Sequence, residues 1–199
     1  KTKQGDGHQI VQDTGSGGSW PVSSDRVVWA RGAQALAPFL DPSDPFHAQA
    51  LEAMSQTAEQ DRAYLFDPVD GLYRGETSFL DWREQSYATW TATDTVHIAM
   101  SKALSTNLAH LDLLRAIDHP EADALMAAIE AAFWDGTRYR SYLGTTLDGS
   151  APARWDLLGN ALAVLDLENH PEAIDAYPFA AGGPPVIWPQ QPFTPIYHN

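Results

Sequence analysis

The chain has no cysteine, which excludes disulfides and thiolate metal sites. That absence leaves the compartment open, since periplasmic, secreted and cytoplasmic proteins all tolerate it. Basic residues are scarce: 12 Lys and Arg stand against 26 Asp and Glu, a net charge of −14. Phosphate binding needs clustered Lys and Arg, so no nucleic-acid partner is expected, and neutral or basic ligands suit such a surface better. No apolar run reaches the roughly eighteen residues of a membrane span, and no signal-peptide pattern opens the chain. Metal-site spacing is missing too. His8, His47, His97, His110, His119, His170 and His198 are scattered, with no pair at i, i+4. Asp67-Pro68-Val69-Asp70-Gly71 lacks the later ligands of a calcium loop. The reading calls for no cofactor and no metal.

What is present suits a folded domain: 199 residues, 44% of them apolar, enough for a sizeable core. Residues 1–19 read as a glycine-rich loop leading in, and 20–199 as the folded unit. The segment Gly71 to Tyr87 gathers Glu76, Asp81 and Glu84 with Arg74, Arg83, Phe79 and Trp82. Its acids do not follow the i, i+4 spacing of a solvated helix face. Carboxylates beside aromatic rings are what a sugar-cleaving site needs: one acid that keeps a proton near neutral pH, and flat faces that hold a sugar ring. The competing reading is a loop whose acids pair with Arg74 and Arg83 while its rings fill a core.

Helix signals recur along the chain. Ser24 and Asp25 open a helix expected to reach Leu40. Asp44 and Pro45 are a cap and first-turn pair for a helix to about Phe66. Further helices are expected from Thr93 or Asp94 to Ser105, Thr106 to Ile117, Pro120 to Trp134, Arg154 to Leu167 and Pro171 to Tyr177. A Pro/Gly-rich stretch then runs from Phe179 to Pro195. Asp135-Gly136-Thr137-Arg138-Tyr139-Arg140 echoes Asp70-Gly71-Leu72-Tyr73-Arg74, each after a long helix and each leading into a short β-like piece. The pattern is all-α, about three helical hairpins in series joined by long loops, and points to a toroid or solenoid. Long loops rich in Trp, Tyr, Asp and Arg favour the toroid.

The order of segments resembles the six-hairpin glycosidases, whose catalytic domain is an (α/α)6 barrel. The matching pieces are Gly18 to Ala30, Gly71 to Tyr87, Trp155 to Ala161, Pro185 to Pro192 and Ile196 to Asn199. The resemblance implies a glycoside hydrolase, inverting and exo-acting on an oligosaccharide or glycoside, or the half of one that carries the general acid. It implies inner helices whose N-termini face the pocket. Ser78-Phe79-Leu80-Asp81-Trp82-Arg83 is similar to the acid-bearing segment of the α-glucosidase and trehalase branch, which puts the general acid at Asp81. Phe79 stands where that branch often has glycine, so Glu76 and Glu84 remain rivals. Substrate contacts are expected from Trp20, Asp25, Arg26, Trp82, Arg83, Trp155, Asp156, Trp188, Gln190 and His198; Asp25 and Asp156 read equally as helix caps.

Six hairpins make such a barrel and about three are expected here. The catalytic base and the rest of the barrel are therefore expected elsewhere: a C-terminal half, a separate chain or a second copy. Val27, Val28, Ile98, Met100, Leu158 and Leu162 would then form uncovered apolar sides. The alternative function is a carbohydrate-binding or inactive half-barrel without the base.

Overall fold

A computed structural model describes residues 2–4, 7–9, 25–75, 101–143, 154–179 and 181–189. Six α-helices and four two-stranded antiparallel sheets are found among the described residues. Strands β1 (Thr2–Gln4) and β2 (Gly7–Gln9) pair near the start of the chain. Helix α1 (Asp25–Leu36) passes into a 3-10 turn, Ala37–Phe39. The helix expected to reach Leu40 tightens there because Pro38 has no N–H to continue the ladder. Helix α2 (Pro45–Tyr64) starts as the sequence predicts: the Asp44 carboxylate accepts the Phe46 N–H at 2.8 Å and Pro45 occupies the first turn.

Helix α2 ends short of Phe66, which instead joins β3 (Phe66–Asp67), paired with β4 (Leu72–Tyr73). Asp67 accepts the Val69 N–H and Asp70 the Leu72 N–H, so both aspartates shape the turn. Gly71 closes it at φ +74°, a left-handed conformation that a side chain would strain.

The second unit differs most from expectation. Ser101 to Ala103 is extended, so no helix runs through to Ser105; its predicted earlier part, 93–100, lies outside the described residues. Strand β5 (Lys102–Ala103) leads directly into α3 (Leu104–Ala116), whose first N–H is bonded to the Ser141 carbonyl at 2.9 Å. A left-handed Asp118 (φ 51°) ends α3, and α4 (Ala122–Phe133) follows. Trp134 is extended rather than helical. Strand β6 (Tyr142–Leu143) returns to pair with β5.

The third unit repeats this plan with β7 (Trp155–Asp156), α5 (Leu157–Leu167), the single turn α6 (Glu172–Asp175) and β8 (Ile187–Trp188), paired with β7. The helix expected from Arg154 starts three residues later. The Arg154 carbonyl already accepts the Ser141 N–H, and the Leu157 N–H is held by Val186. Similarly, α6 covers only the middle of the stretch expected to reach Tyr177.

The repetition extends to single hydrogen bonds. Arg74 N–H bonds Leu65 O, as Arg140 N–H bonds Phe133 O; Gly75 N–H bonds Ser101 O, as Ser141 N–H bonds Arg154 O. The Asn107 side chain accepts the Tyr73 N–H (2.8 Å) and donates to the carbonyls of Tyr73 (3.0 Å) and Ala103 (2.8 Å). Asn160 does the same with Tyr139 (2.9 and 3.0 Å) and Asp156 (2.8 Å). Each asparagine ties the start of a helix, α3 or α5, to the preceding aromatic hairpin, a join that would otherwise bury bare amide groups.

The core surrounds α3, which packs against α1, α2, α4 and α5; Leu104, Leu108, Leu111 and Leu113 are fully buried. Val27 is buried by the chain itself, Val28 and Leu162 pack partly against the same core, and Leu158 is half-buried. The uncovered apolar sides expected at these positions are thus largely covered, while Ile98 and Met100 lie outside the described residues. The large apolar side chains that face solvent among the described residues include Phe39, Tyr64, Val69, Leu165 and Phe179.

Two substitutions test this framework. Asn107→Ala leaves the Tyr73 N–H and carbonyl buried without a partner, and urea unfolding should show a loss of about 3 kcal/mol. A methyl at Gly159 would meet both Asp156 carboxylate oxygens (2.9 and 3.0 Å) and Leu104 Cδ2 (3.1 Å). Gly159→Ala should therefore lower the melting temperature despite the helix preference of alanine, by about 1–3 kcal/mol of overpacking.

Candidate functional site

Helices α1, α3 and α5 lie side by side, with α3 between the other two. Leu104, at the start of α3, lies against Gly159 near the start of α5, and Arg115 near the end of α3 donates to the Asp166 carbonyl near the end of α5 at 2.6 Å. The two helices therefore run the same way. Arg31 of α1 pairs with both Asp112 and Asp166, at 2.5 Å to the latter. The later halves of all three helices meet at this ion cluster, which leaves the helix starts gathered at the other end.

Long connections spring from that end. Residues 76–100 leave beside Gly75 and return at Ser101, and those two residues are hydrogen-bonded to each other at 3.0 Å. Residues 144–153 are bracketed by β6 and by Arg154 in the same way. The roots are braced by charge: Asp67 Oδ2 accepts from Arg74 (2.6 Å) and Lys102 (2.8 Å), and Lys102 also reaches Asp70. The Lys102 ammonium and the Val69 N–H hold the Asp67 carboxyl below the ordinary carboxylate range.

The predicted residues divide as follows. Glu76, Asp81, Trp82, Arg83 and Glu84 lie outside the described residues, as do Trp20, Gln190, His198 and the Asp25 side chain. Arg26 is fully buried and donates to Asp61 Oδ1 (2.5 Å) and Gln60 Oε1 (2.7 Å). A guanidinium without solvent needs an internal anion, so the sugar contact expected of Arg26 gives way to an ion pair between α1 and α2. Asp156 caps α5, accepting the Gly159 N–H at 2.5 Å. Burial pushes its carboxyl above the usual aspartate range, against the pull of the Ser141 hydroxyl and the Gly159 N–H. Of its two expected roles, the cap is the one its contacts serve. The Trp155 ring is covered by Tyr177 (4.8 Å between centroids) and by the Arg138 guanidinium (4.4 Å). Trp188, opposite Trp155 in the β7–β8 ladder, keeps 40% of its surface exposed.

Sequence reasoning missed a buried polar group between α1, α2 and α3. His110 Nδ1–H donates to the Thr106 carbonyl (2.9 Å), and Nε2 stands 3.3 Å from Asp61 Oδ2 without hydrogen-bond geometry. The Tyr73 ring stacks on the imidazole at 3.9 Å. It missed both asparagine clamps as well. Leu104-Ser105-Thr106-Asn107 and Leu157-Leu158-Gly159-Asn160 share Leu-x-x-Asn, the signal that could have revealed them. A small apolar cleft of about 80 Å³ lies elsewhere, between Phe66, Tyr73, Leu114 and Leu125. It is well below the roughly 300–1,000 Å³ of small-ligand sites.

The Arg31 cluster supplies a pH test. Burial raises the carboxyls of Asp112 and Asp166, the former also through repulsion by the latter, while Arg31 pulls both down. Raised folded-state carboxyls favour folding below the unfolded pKa of about 3.9, and that contribution is lost as pH rises through their folded values. Arg31→Gln removes the shared cation. Urea unfolding should show a loss of about 1–2 kcal/mol at pH 7, reduced by solvent screening of this half-exposed arginine, and a smaller loss near pH 4. Equal losses at both pH values would contradict the assignment.

Comparison with protein-family models, with curated proteins and with solved structures gives no match to this chain.

Proposed function

We propose that the chain is part of a toroid of helical hairpins that binds and hydrolyses glycosides, with the reaction at the end where the inner helices begin. The observation that carries this reading is the rooting of segment 76–100. It bears Glu76, Asp81, Trp82, Arg83 and Glu84, and both its ends are fixed by the Gly75–Ser101 hydrogen bond and the Asp67–Lys102 brace at the start of α3. Loops carrying acids and tryptophan on a rigid helical frame are a common way to build a binding site. The reading assigns Asp81 as the general acid, with Glu76 and Glu84 as rivals, and assigns the base to the remainder of the barrel, supplied as a C-terminal half, a separate chain or a second copy. An inverting reaction needs the two carboxyls roughly 6.5–9.5 Å apart so that a water fits between base and sugar.

A second reading, carbohydrate binding without turnover, has its own support. The described carboxylates at that end are engaged internally: Asp61 by Arg26, Asp156 by the α5 N-terminus, and Asp67 and Asp70 by Lys102. None of these is free to activate water.

Activity on a panel of aryl glycosides and oligosaccharides, with the product anomer followed by NMR, separates the two. In the assembled enzyme, Asp81→Asn should lower kcat by about a hundredfold to ten-thousandfold with the melting temperature unchanged. Loss on Glu76→Gln or Glu84→Gln instead would reassign the acid. Saturable sugar binding with no turnover by the assembled protein would favour the second reading.

A further inference from the structure

We propose that the edge formed by Arg138, Arg140 and Trp155 binds the carboxylate of an acidic sugar, so that the ligand taken at this end is a uronic acid or uronide rather than a neutral sugar. The inference rests on the glycoside reading and narrows its substrate class.

The chain as a whole is strongly acidic, yet Arg138, Arg140 and Arg154, three of its 12 basic residues, flank the single connection 144–153. The Ser141 N–H bonds the Arg154 carbonyl at 2.8 Å, which lays Arg140 and Ser141 alongside Arg154 and Trp155. The Arg138 guanidinium sits over the Trp155 ring at 4.4 Å. Arg154 is committed to the fold, since its Nη1 donates to the Pro189 carbonyl at 2.5 Å.

Two donors on this edge are unsatisfied. Arg140 Nε–H and Trp155 Nε1–H are buried and have no acceptor, and no ion pair among the described residues involves Arg140. Trp155 as a whole is only 3% exposed. Each such donor costs about 1–3 kcal/mol when left bare, so two on adjoining segments mark a place for an acceptor. A carboxylate fits: its two oxygens accept from a guanidinium fork and a neighbouring N–H, and its charge suits arginine. Asp135 takes up the Arg138 charge at 3.5 Å, and Asp156 is buried against the start of α5, so the positive charge on this edge is that of Arg140. The half-exposed Trp188 ring, across the ladder from Trp155, offers a flat apolar face for the sugar body.

The test is calorimetric titration of the 199-residue chain at pH 7 with D-glucuronate, D-galacturonate, D-glucose, D-galactose and D-glucose 6-phosphate. Uronates should bind about tenfold or more tightly than the neutral sugars, the factor expected of a charge-assisted hydrogen bond. Trp155→Phe keeps a ring but removes the N–H, and Arg140→Lys keeps the charge but removes the fork. Each should abolish the preference, with circular dichroism and melting temperature reporting that the fold is retained. Arg140→Lys, on a half-buried side chain, decides the matter if Trp155→Phe unfolds. Equal binding of uronates and neutral sugars would overturn the inference and leave the glycoside reading standing. Preference for the phosphate would overturn it in favour of a phosphate site. Binding of none of the five would overturn the inference, while the glycoside reading stands or falls on turnover by the assembled protein.

Discussion

Helix α3 is enclosed from Leu104 to Leu111, and most of the described structure follows from having to satisfy what an enclosed helix cannot leave bare. Its apolar residues pack against four other helices. Its polar residues have no water and need internal partners: Asn107 takes the Tyr73 backbone, and His110 takes Thr106, with Asp61 close by. Because Asn107 holds a hairpin that lies between α2 and the long 76–100 connection, the same contact that satisfies α3 also fixes where that connection begins. Asn160 repeats the arrangement one unit later with Tyr139. A structural repeat has thus been maintained by one side-chain amide per unit, which can donate and accept at once and so match both groups of a single residue.

Charge is arranged around this frame with a clear division. Toward the ends of α1, α3 and α5, Arg31 holds two carboxylates that burial makes costly to ionise. Between α1 and α2, Arg26 and Asp61 are completely enclosed, a pair whose net contribution to stability is small but whose disruption would strand a charge. At the helix starts, Lys102 and Arg74 brace the first hairpin through Asp67, and arginines flank the 144–153 connection. An acidic protein has therefore placed much of its small basic complement at the roots of segments 76–100 and 144–153.

The sequence marked the helices of the first unit well because their caps are local. Asp44-Pro45 and the Asp67 to Gly71 turn act through atoms a few residues apart, and the structure has both. It failed at Ser101 to Ala103, expected inside a helix reaching Ser105, and at Arg154 to Asp156, expected to open the helix to Leu167. Those residues are extended because distant segments take their backbone groups: Gly75 and β6 at Ser101 to Ala103, Ser141 and β8 at Arg154 to Asp156. The site divided similarly. Asp156 was legible as a cap, but Arg26 was not legible as an internal cation, since its partner Asp61 lies on the next helix.

By itself, the sequence determined the helical character, the hairpin turns, the echo between Asp70–Arg74 and Asp135–Arg140, and the acidic balance that makes clustered arginine conspicuous. These depend on periodicity, capping and composition, which act over a few residues or over the whole chain. Only the tertiary structure decided which helix would be enclosed, which polar groups would lose water, and which donors would be left without an acceptor. Those outcomes depend on what packs against a residue from a distant part of the chain. The cost of an unpartnered buried group is therefore set by the fold and not by its neighbours in sequence.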